Sequence, residues 1–138
     1  MSDIILGPDI FVNASVALGS PPEHVVRRVL VPGAQVKSSQ WILDRVEGML
    51  SNIEAFKKEA VQQQMTTIRT FVDLVDDDEH DASDWKGALV AAAKAARLSR
   101  VVTDHPDLAD VTEVEGVEFV SSDAWLVEVT TPPPPPGS

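Results

Sequence analysis

The stretch Ile4-Ile5-Leu6-Gly7-Pro8-Asp9 is a short apolar run that ends in a glycine, a proline and an acid. Such a run predicts a buried strand that leads into a turn and a helix. Similar apolar runs return at Val101 to Thr103, behind an alanine-rich segment, and at Val117 to Val120, after Gly116. Strands that are separated by helical segments are typical of a parallel sheet with helices on both faces.

Helices are predicted between these strands because residues that favour caps stand at the expected starts. Asp9, Ser20, Ser39 and either Ser83 or Asp84 occupy such positions, where a side-chain oxygen can accept a hydrogen bond from a free backbone N–H. The other predicted segments are a weak strand at 35–38, a long helix at 54–75, an alanine-rich helix at 85–98 and one helical turn at 122–126.

The sequence therefore predicts an α/β domain of three layers, with a central, mainly parallel sheet of about four or five short strands and helices on both faces. We expect this domain to span residues 1–130. Five consecutive prolines from Pro132 predict a disordered, proline-rich tail over residues 131–138. The tail is either a spacer or a segment that docks into an aromatic-lined groove of a partner.

The charge balance argues against several functional classes. The 138 residues include 22 acidic and 11 basic side chains, which give a net charge of −11. This excess opposes loose binding to nucleic acid or to an anionic membrane. It leaves a metal-dependent nuclease open, because such sites are themselves acidic. The chain has no cysteine, which excludes disulfides, thiolate zinc sites and thiol nucleophiles.

The expected location of the protein is the cytoplasm, with no contact with a membrane. No stretch approaches the roughly 20 apolar residues that a membrane-spanning helix needs. The segment from Met1 to Leu6 lacks the basic start and the long apolar core of a secretory signal.

Acidic residues follow the predicted strands. Asp9 comes after the first apolar run, Asp104 and Asp107 after the second, and Asp123 after the third. In parallel sheets, ligand sites usually lie at the carboxyl ends of the strands. The sequence therefore predicts an acidic edge at which a ligand or a partner binds.

This arrangement resembles the PIN-domain family. The segment 5–14 is similar to the opening strand, turn and first helix of that family, and 101–108 is similar to its third-strand motif. Residues 84–89 are similar to the helix that feeds this strand, and 116–120 to the strand that follows. The resemblance extends to about Leu126. It implies a small α/β domain, and it implies kinship with metal-dependent ribonucleases and with the toxins of toxin–antitoxin pairs.

The resemblance also implies a degenerate site. The family site has usually four acids that hold one or two divalent ions, and the corresponding positions here are Gly7, Arg45, Asp84 and His105. Asp107 matches a further acid that is common in the family. Glycine supplies no ligand, arginine adds positive charge, and an imidazole is a poor ligand for Mg²⁺, which prefers oxygen.

A displaced acidic cluster is the alternative, since each lost acid has an acidic neighbour in the sequence. A shift of one residue rotates a helical side chain by about 100°, and in a strand it moves the side chain to the other face. In the simpler interpretation, Asp9 and Asp84 are helix caps and Asp104 is a turn residue. The displaced cluster would consist of Asp9, Asp44 or Glu47, Asp84 and Asp104.

These observations lead to two main functional hypotheses. The first is an interaction module without catalysis or cofactor, whose acidic edge binds a protein partner or a second copy. The second is a toxin-like endoribonuclease that uses Mg²⁺ or Mn²⁺ to cleave single-stranded RNA. Its catalytic candidates are Asp84, Asp104 and His105. Its candidate metal ligands are Asp9, Asp84, Asp104 and Asp107. The replaced acids favour the first hypothesis, and a small-ligand or nucleotide binder is a third.

The histidines and tryptophans have competing interpretations. His24 is expected on the surface of a helix, next to Glu23. His80 lies in the acidic run 76–81, which predicts an exposed loop; a metal-binding cluster of His80 with aspartates is the alternative. For the tryptophans, packing in the core or at an interface is favoured over stacking on bases. The tryptophans are Trp41, Trp85 and Trp125.

Overall fold

Short strands and longer helices alternate along the chain. The structure, a computed structural model, describes residues 3–33, 35–77 and 79–130. The predicted tail at 131–138 lies outside the described residues, so the boundary of the domain stays a prediction. The strands are β1 (Ile5–Leu6), β2 (Val36–Ser38), β3 (Val72–Leu74), β4 (Arg100–Val102), β5 (Glu113–Val114) and β6 (Val117–Val120).

The helices pack around these strands, and a short 3₁₀ turn at Pro106–Leu108 follows β4. None of the helices in the described part of the chain is both long enough and apolar enough to cross a membrane. The helices are α1 (Pro8–Val16), α2 (Pro21–Val29), α3 (Gln40–Ser51), α4 (Lys58–Phe71), α5 (Trp85–Ala95) and α6 (Ser122–Thr130).

The main sheet has four strands in the order β1-β4-β6-β5. Strands β1, β4 and β6 are parallel, with Ile5 opposite Val101 and Val101 opposite Phe119, whereas β5 is antiparallel to β6. Strands β2 and β3 form a separate parallel pair, and β2 contacts β1. The prediction of an α/β fold with a mainly parallel central sheet is confirmed.

The core lies where the sheet meets its helices. Ile5, Leu6, Val101 and Val102 are 0–1% exposed, so side chains on both faces of these strands are covered. Such two-sided burial explains why the strands are continuous apolar runs. Helix α5 contacts β1, β4 and β6. Its buried alanines are Ala88, Ala92 and Ala93.

Two predicted elements have the wrong extent. The helix predicted at 54–75 is shorter, because Val72 adopts an extended backbone and β3 pairs with β2. The Val75 N–H then donates to the carbonyl of Ser38 at 2.8 Å. The single turn predicted at 122–126 is the start of α6, which continues to Thr130.

Two of the predicted cap residues accept a cap hydrogen bond in the structure, and two form other hydrogen bonds instead. Ser39 accepts a hydrogen bond from the N–H of Ile42, and Asp84 accepts one from Gly87, which confirms both caps. The prediction that Asp9 caps α1 is wrong, because Gly7 holds the cap position and the Asp9 side chain turns toward β4.

The capping box predicted for α2 does not form. Ser20 holds the cap position, but its hydroxyl donates to the carbonyl of Ala17 at 2.6 Å instead of serving the helix. Glu23 accepts from the N–H of Gly19. Both side chains that the capping box would use therefore form hydrogen bonds with the turn before α2.

The difference between the two serines predicts a difference in stability. Ser39→Ala removes a buried cap bond and should lower the free energy of unfolding by about 1 kcal/mol, whereas Ser20→Ala should lower it by less, because Ser20 makes no cap bond. Denaturant unfolding of both variants measures this. An equal or larger loss for Ser20→Ala would contradict the assignment of the caps.

Candidate functional site

The carboxyl ends of β1, β4 and β6 meet at one edge of the main sheet, as the parallel topology requires. Asp9 reaches this edge from the first turn of α1, Thr103 and Asp104 directly follow β4, and Ser122 begins α6 after β6. We call these four residues the edge network. They come from three separate parts of the chain.

Asp9 is the centre of the edge network. Its side chain accepts two hydrogen bonds, from the hydroxyl of Thr103 to Oδ1 at 2.6 Å and from the backbone N–H of Asp104 to Oδ2 at 2.7 Å. Asp9 is only 6% exposed. Both carboxylate oxygens are therefore occupied by donors from the end of β4, and the start of α1 is tied to that strand.

Asp104 extends the edge network to the last helix. Its Oδ1 accepts from the backbone N–H of Ser122 at 2.8 Å, and its Oδ2 accepts from the Ser122 hydroxyl at 2.5 Å. The Ser122 side chain is buried, although Asp104 itself is exposed. This pair of bonds provides a side-chain acceptor for the first N–H of α6, a group that has no partner within the helix.

Burial raises the pKa of the Asp9 carboxyl above its ordinary value of 3.8, because the charged form loses its hydration. The hydrogen bonds from Thr103 and from the Asp104 N–H act in the opposite direction, and the nearby Asp104 carboxylate adds to the rise. Asp9 is thus a carboxyl group whose environment favours the neutral form more than water does.

The Asp9 side chain also fills the space that a side chain at position 7 would need. A Cβ atom built on Gly7 would lie 2.7 Å from Oδ1 of Asp9 and 3.0 Å from Cβ and Oγ1 of Thr103. The backbone φ of Gly7 is −66°, which any residue can adopt. Space, and not backbone conformation, is what restricts this position to glycine.

A second group of predicted site residues gathers around two tryptophans. The ring centroids of Trp41 and Trp85 are 5.7 Å apart at 90°, and those of Trp85 and His105 are 4.2 Å apart at 40°. The Arg45 guanidinium carbon lies 5.9 Å from the centre of the Trp41 ring, within the range of a cation–π contact. We call these four residues the tryptophan row.

Two members of the tryptophan row are hydrogen-bonded to the backbone. The indole N–H of Trp41 donates to the carbonyl of Asp81 at 2.9 Å. Nδ1 of His105 accepts from the N–H of Asp107 at 3.1 Å. The rings therefore pack against one another, and Trp41 and His105 are also bonded to backbone groups. Trp125, by contrast, is buried in the core.

Asp84 stands beside the tryptophan row as the cap of α5, and its Oδ2 lies 3.4 Å from Nδ1 of His80. Asp84 and Asp107 both line an open cavity of about 350 Å³, together with Lys86 and His105. Asp44 lines a neighbouring cavity of about 310 Å³ with Trp41 and His80.

The predicted metal ligands do not form one site. Asp9 and Asp104 belong to the edge network, while Asp84 and Asp107 share the cavity beside the tryptophan row. Asp44 accepts from Gln40, and Glu47 faces Arg69 at 3.9 Å. Among residues 3–33, 35–77 and 79–130, no three histidine or acidic side chains are close enough together to hold a metal ion.

Two residues of the edge network were not predicted from the sequence. Thr103 and Ser122 were not considered as site residues, and their only signal is that each hydroxyl side chain directly precedes an aspartate at the end of a strand. The contact between Trp41 and Arg45 had a clearer signal, because residues four apart on a helix face the same side.

The comparisons with known proteins support the fold alone. No model of a protein family matches the chain, and no curated protein does. A solved structure, VapBC2 from Rickettsia felis bound to a DNA fragment from their promoter, contains a similar chain with a TM-score of 0.62 and 12% identity. The match covers 86% of this chain and 97% of that one. This likeness supports a PIN-like fold.

The crowding at position 7 predicts a loss of stability when a side chain is added. Gly7→Ala should lower the free energy of unfolding by about 1–3 kcal/mol, because the new Cβ atom displaces the Asp9 carboxylate. Gly48→Ala is the matched control, since nothing lies within 4 Å of a Cβ there and α3 should gain stability. If chemical denaturation showed that Gly7→Ala is neutral, this packing would be wrong.

The raised pKa of Asp9 predicts how stability changes with pH. The folded state binds more protons than the unfolded state between the ordinary pKa of 3.8 and the raised one, so the Asp9 contribution to stability falls as pH rises through that window. Asp9→Asn should cost about 1–3 kcal/mol by leaving a donor unpaired. The difference in free energy of unfolding between the wild type and this variant should become smaller as pH rises.

Unfolding curves measured across that pH range test this. Thr103→Val supplies the control, because it removes a hydrogen bond that lowers the Asp9 pKa and should widen the window. A deficit of Asp9→Asn that grows with pH would show that the pKa of Asp9 is lowered instead.

Proposed function

We propose that this chain is a cytoplasmic protein-interaction module on a PIN-like fold, without metal-dependent ribonuclease activity of its own. The observation that carries the proposal is the edge network. Asp9 is buried and accepts hydrogen bonds from Thr103 and Asp104, while Asp104 in turn binds Ser122. Carboxylates at the edge of the sheet that are engaged with internal donors are not arranged as a cation site.

Electrostatics supports the same proposal. A divalent ion is held by several converging carboxylates, yet Arg45 and His105 lie in the tryptophan row at positions where the resemblance implies acids. The net charge of −11 also repels the phosphates of RNA wherever no cation screens it. Both features weaken the endoribonuclease alternative and its dependence on Mg²⁺ or Mn²⁺.

An apolar groove provides the surface for a partner. It has a volume of about 370 Å³ and lies between α1, α2 and α4. Leu18 at its rim is 83% exposed, and a large apolar side chain in such a groove is typical of a protein-binding surface. The apolar side chains that line the groove are Phe11, Ala14, Leu18, Val26, Leu30, Ile68 and Phe71.

The similar chain of known structure was solved as part of VapBC2, bound to promoter DNA. By analogy, we propose that the partner here is a protein, in an assembly of the toxin–antitoxin kind, with a second copy of this chain as the other possible occupant. The apolar segment of the partner would fill the groove between α1, α2 and α4.

The proposal predicts that divalent ions neither stabilise the protein nor make it cleave RNA. Millimolar Mg²⁺ or Mn²⁺ should leave the melting temperature within the shift produced by Ca²⁺ or by salt of equal ionic strength, because a ligand stabilises only the state that binds it. Labelled single-stranded RNA incubated with the same ions should stay intact.

Asp84→Asn separates the two hypotheses. In a nuclease this variant would lose the one principal family acid that the chain retains, and cleavage would stop. RNA cleavage by the wild type that requires Mn²⁺ and disappears in Asp84→Asn would overturn the proposed function.

A further inference from the structure

A second groove lies between α2 and α6, which pack against each other. Its volume is about 380 Å³, and Arg27 lines both this groove and the apolar groove on the other flank of α2. We call it the basic groove. The residues that line it are His24, Arg27, Arg28, Leu126 and Thr130.

The basic groove concentrates two arginines and a histidine in an acidic protein. The whole chain has 11 Lys and Arg residues against 22 acids, yet one turn of α2 presents His24, Arg27 and Arg28 to a single cavity. Opposite charges would be expected to neutralise such a cluster from within the chain. One of the two arginines, Arg28, is not neutralised in this way by any residue that the structure describes.

Of the three basic residues that line the basic groove, only Arg27 forms an ion pair within the part of the chain that the structure describes. Its NH2 group donates to Oε1 of Glu23 at 2.7 Å, and its Nε lies 2.6 Å from Oε2 of the same carboxylate. In residues 3–33, 35–77 and 79–130, neither His24 nor Arg28 forms an ion pair with an acid. Both side chains are exposed and are available to an anionic group.

The floor of the basic groove is partly apolar. Leu126 lines it from α6, and Val129, three residues further along, is 37% exposed on the same side of that helix. A ligand that fits must therefore carry negative charge beside apolar groups. A peptide with acidic and aliphatic side chains has both, whereas a sugar–phosphate chain carries no aliphatic side chain.

We propose that the basic groove binds an acidic, aliphatic segment of a protein partner. A carboxylate of that segment takes a charge-assisted hydrogen bond from Arg28 and faces His24, while an aliphatic side chain covers Leu126. This inference rests on the proposed function, because the segment belongs to the partner that fills the apolar groove across α2.

Nucleic acid fits the basic groove less well. Its affinity grows with the number of phosphates that cationic side chains neutralise. The basic groove offers only Arg28 and His24 as unpaired groups, and they belong to a chain whose net charge is −11. A bidentate contact between one guanidinium and one carboxylate needs no such array.

Fluorescence anisotropy with the full chain tests the inference. The probes are a fluorescein-labelled peptide that alternates Glu and Leu, and the same peptide with Gln in place of Glu. The Glu peptide should bind about tenfold more tightly, and this preference should shrink with added salt. Arg28→Gln and His24→Gln should each weaken the Glu peptide by about threefold to tenfold and leave the Gln peptide unchanged.

Arg97→Gln is the matched control, because it removes the same charge from an exposed position outside the basic groove. It should leave both peptides unchanged, and thermal melts should show that all three variants are folded. Equal affinity for the two peptides, or an equal loss in Arg97→Gln, would overturn the inference.

Two further outcomes separate this inference from the proposed function. Labelled single-stranded RNA that binds through Arg28, and that displaces the Glu peptide, would assign the basic groove to nucleic acid and overturn the inference. The proposed function would fail independently, on metal-dependent RNA cleavage. A Gln peptide that binds as well as the Glu peptide would leave the apolar groove as the surface for a partner.

Discussion

The buried carboxylate of Asp9 is the constraint on which the strand edge depends. Parallel strands end with backbone groups that point toward the same edge, and α1 must begin there as well. A single side chain that accepts from Thr103 and from the N–H of Asp104 satisfies donors at the end of β4 and fixes the start of α1. Burying a charged group is costly unless such partners are present.

This use of carboxylates has consequences for the whole edge. Carboxylates that hold a cation point toward one shared position and stay accessible to it. Carboxylates that accept hydrogen bonds from groups within the protein point toward those donors instead. Asp9 and Asp104 do the latter. The space at Gly7 is consumed in the process. The edge of this PIN-like fold is therefore held by its own hydrogen bonds.

The sequence predicted the elements whose signals are local. Strands β1, β4 and β6 are apolar runs, and Ser39 and Asp84 cap helices through bonds within three residues. Strand β3 was missed because Val72 follows a helical pattern, and its extended backbone depends on pairing with β2, far away in the chain. Strand β5 was missed because Glu113 and Val114 form no apolar run and neither is buried.

The same division applies to the candidate site. The sequence predicted a helix cap for Asp9 because it lies in a first helical turn. In the structure, its carboxylate oxygens instead accept hydrogen bonds from the Thr103 hydroxyl and the Asp104 N–H, which are far away in the sequence. Arg45, Asp84 and His105 were singled out through a resemblance, and the structure gathers all three around Trp41 and Trp85. Ring contacts between α3, α5 and the loop after β4 have no signature in a single sequence.

The pairing of β1 with β4 also shapes how the protein is made. Ile5 and Leu6 pair with Val101 and Val102, so a ribosome must synthesise the chain as far as Val102 before β1 can complete this pairing. Until then the apolar strand β1 lacks its neighbour β4, and exposed apolar segments with unpaired strand edges are prone to aggregate. The main sheet therefore closes only after β4 has been synthesised.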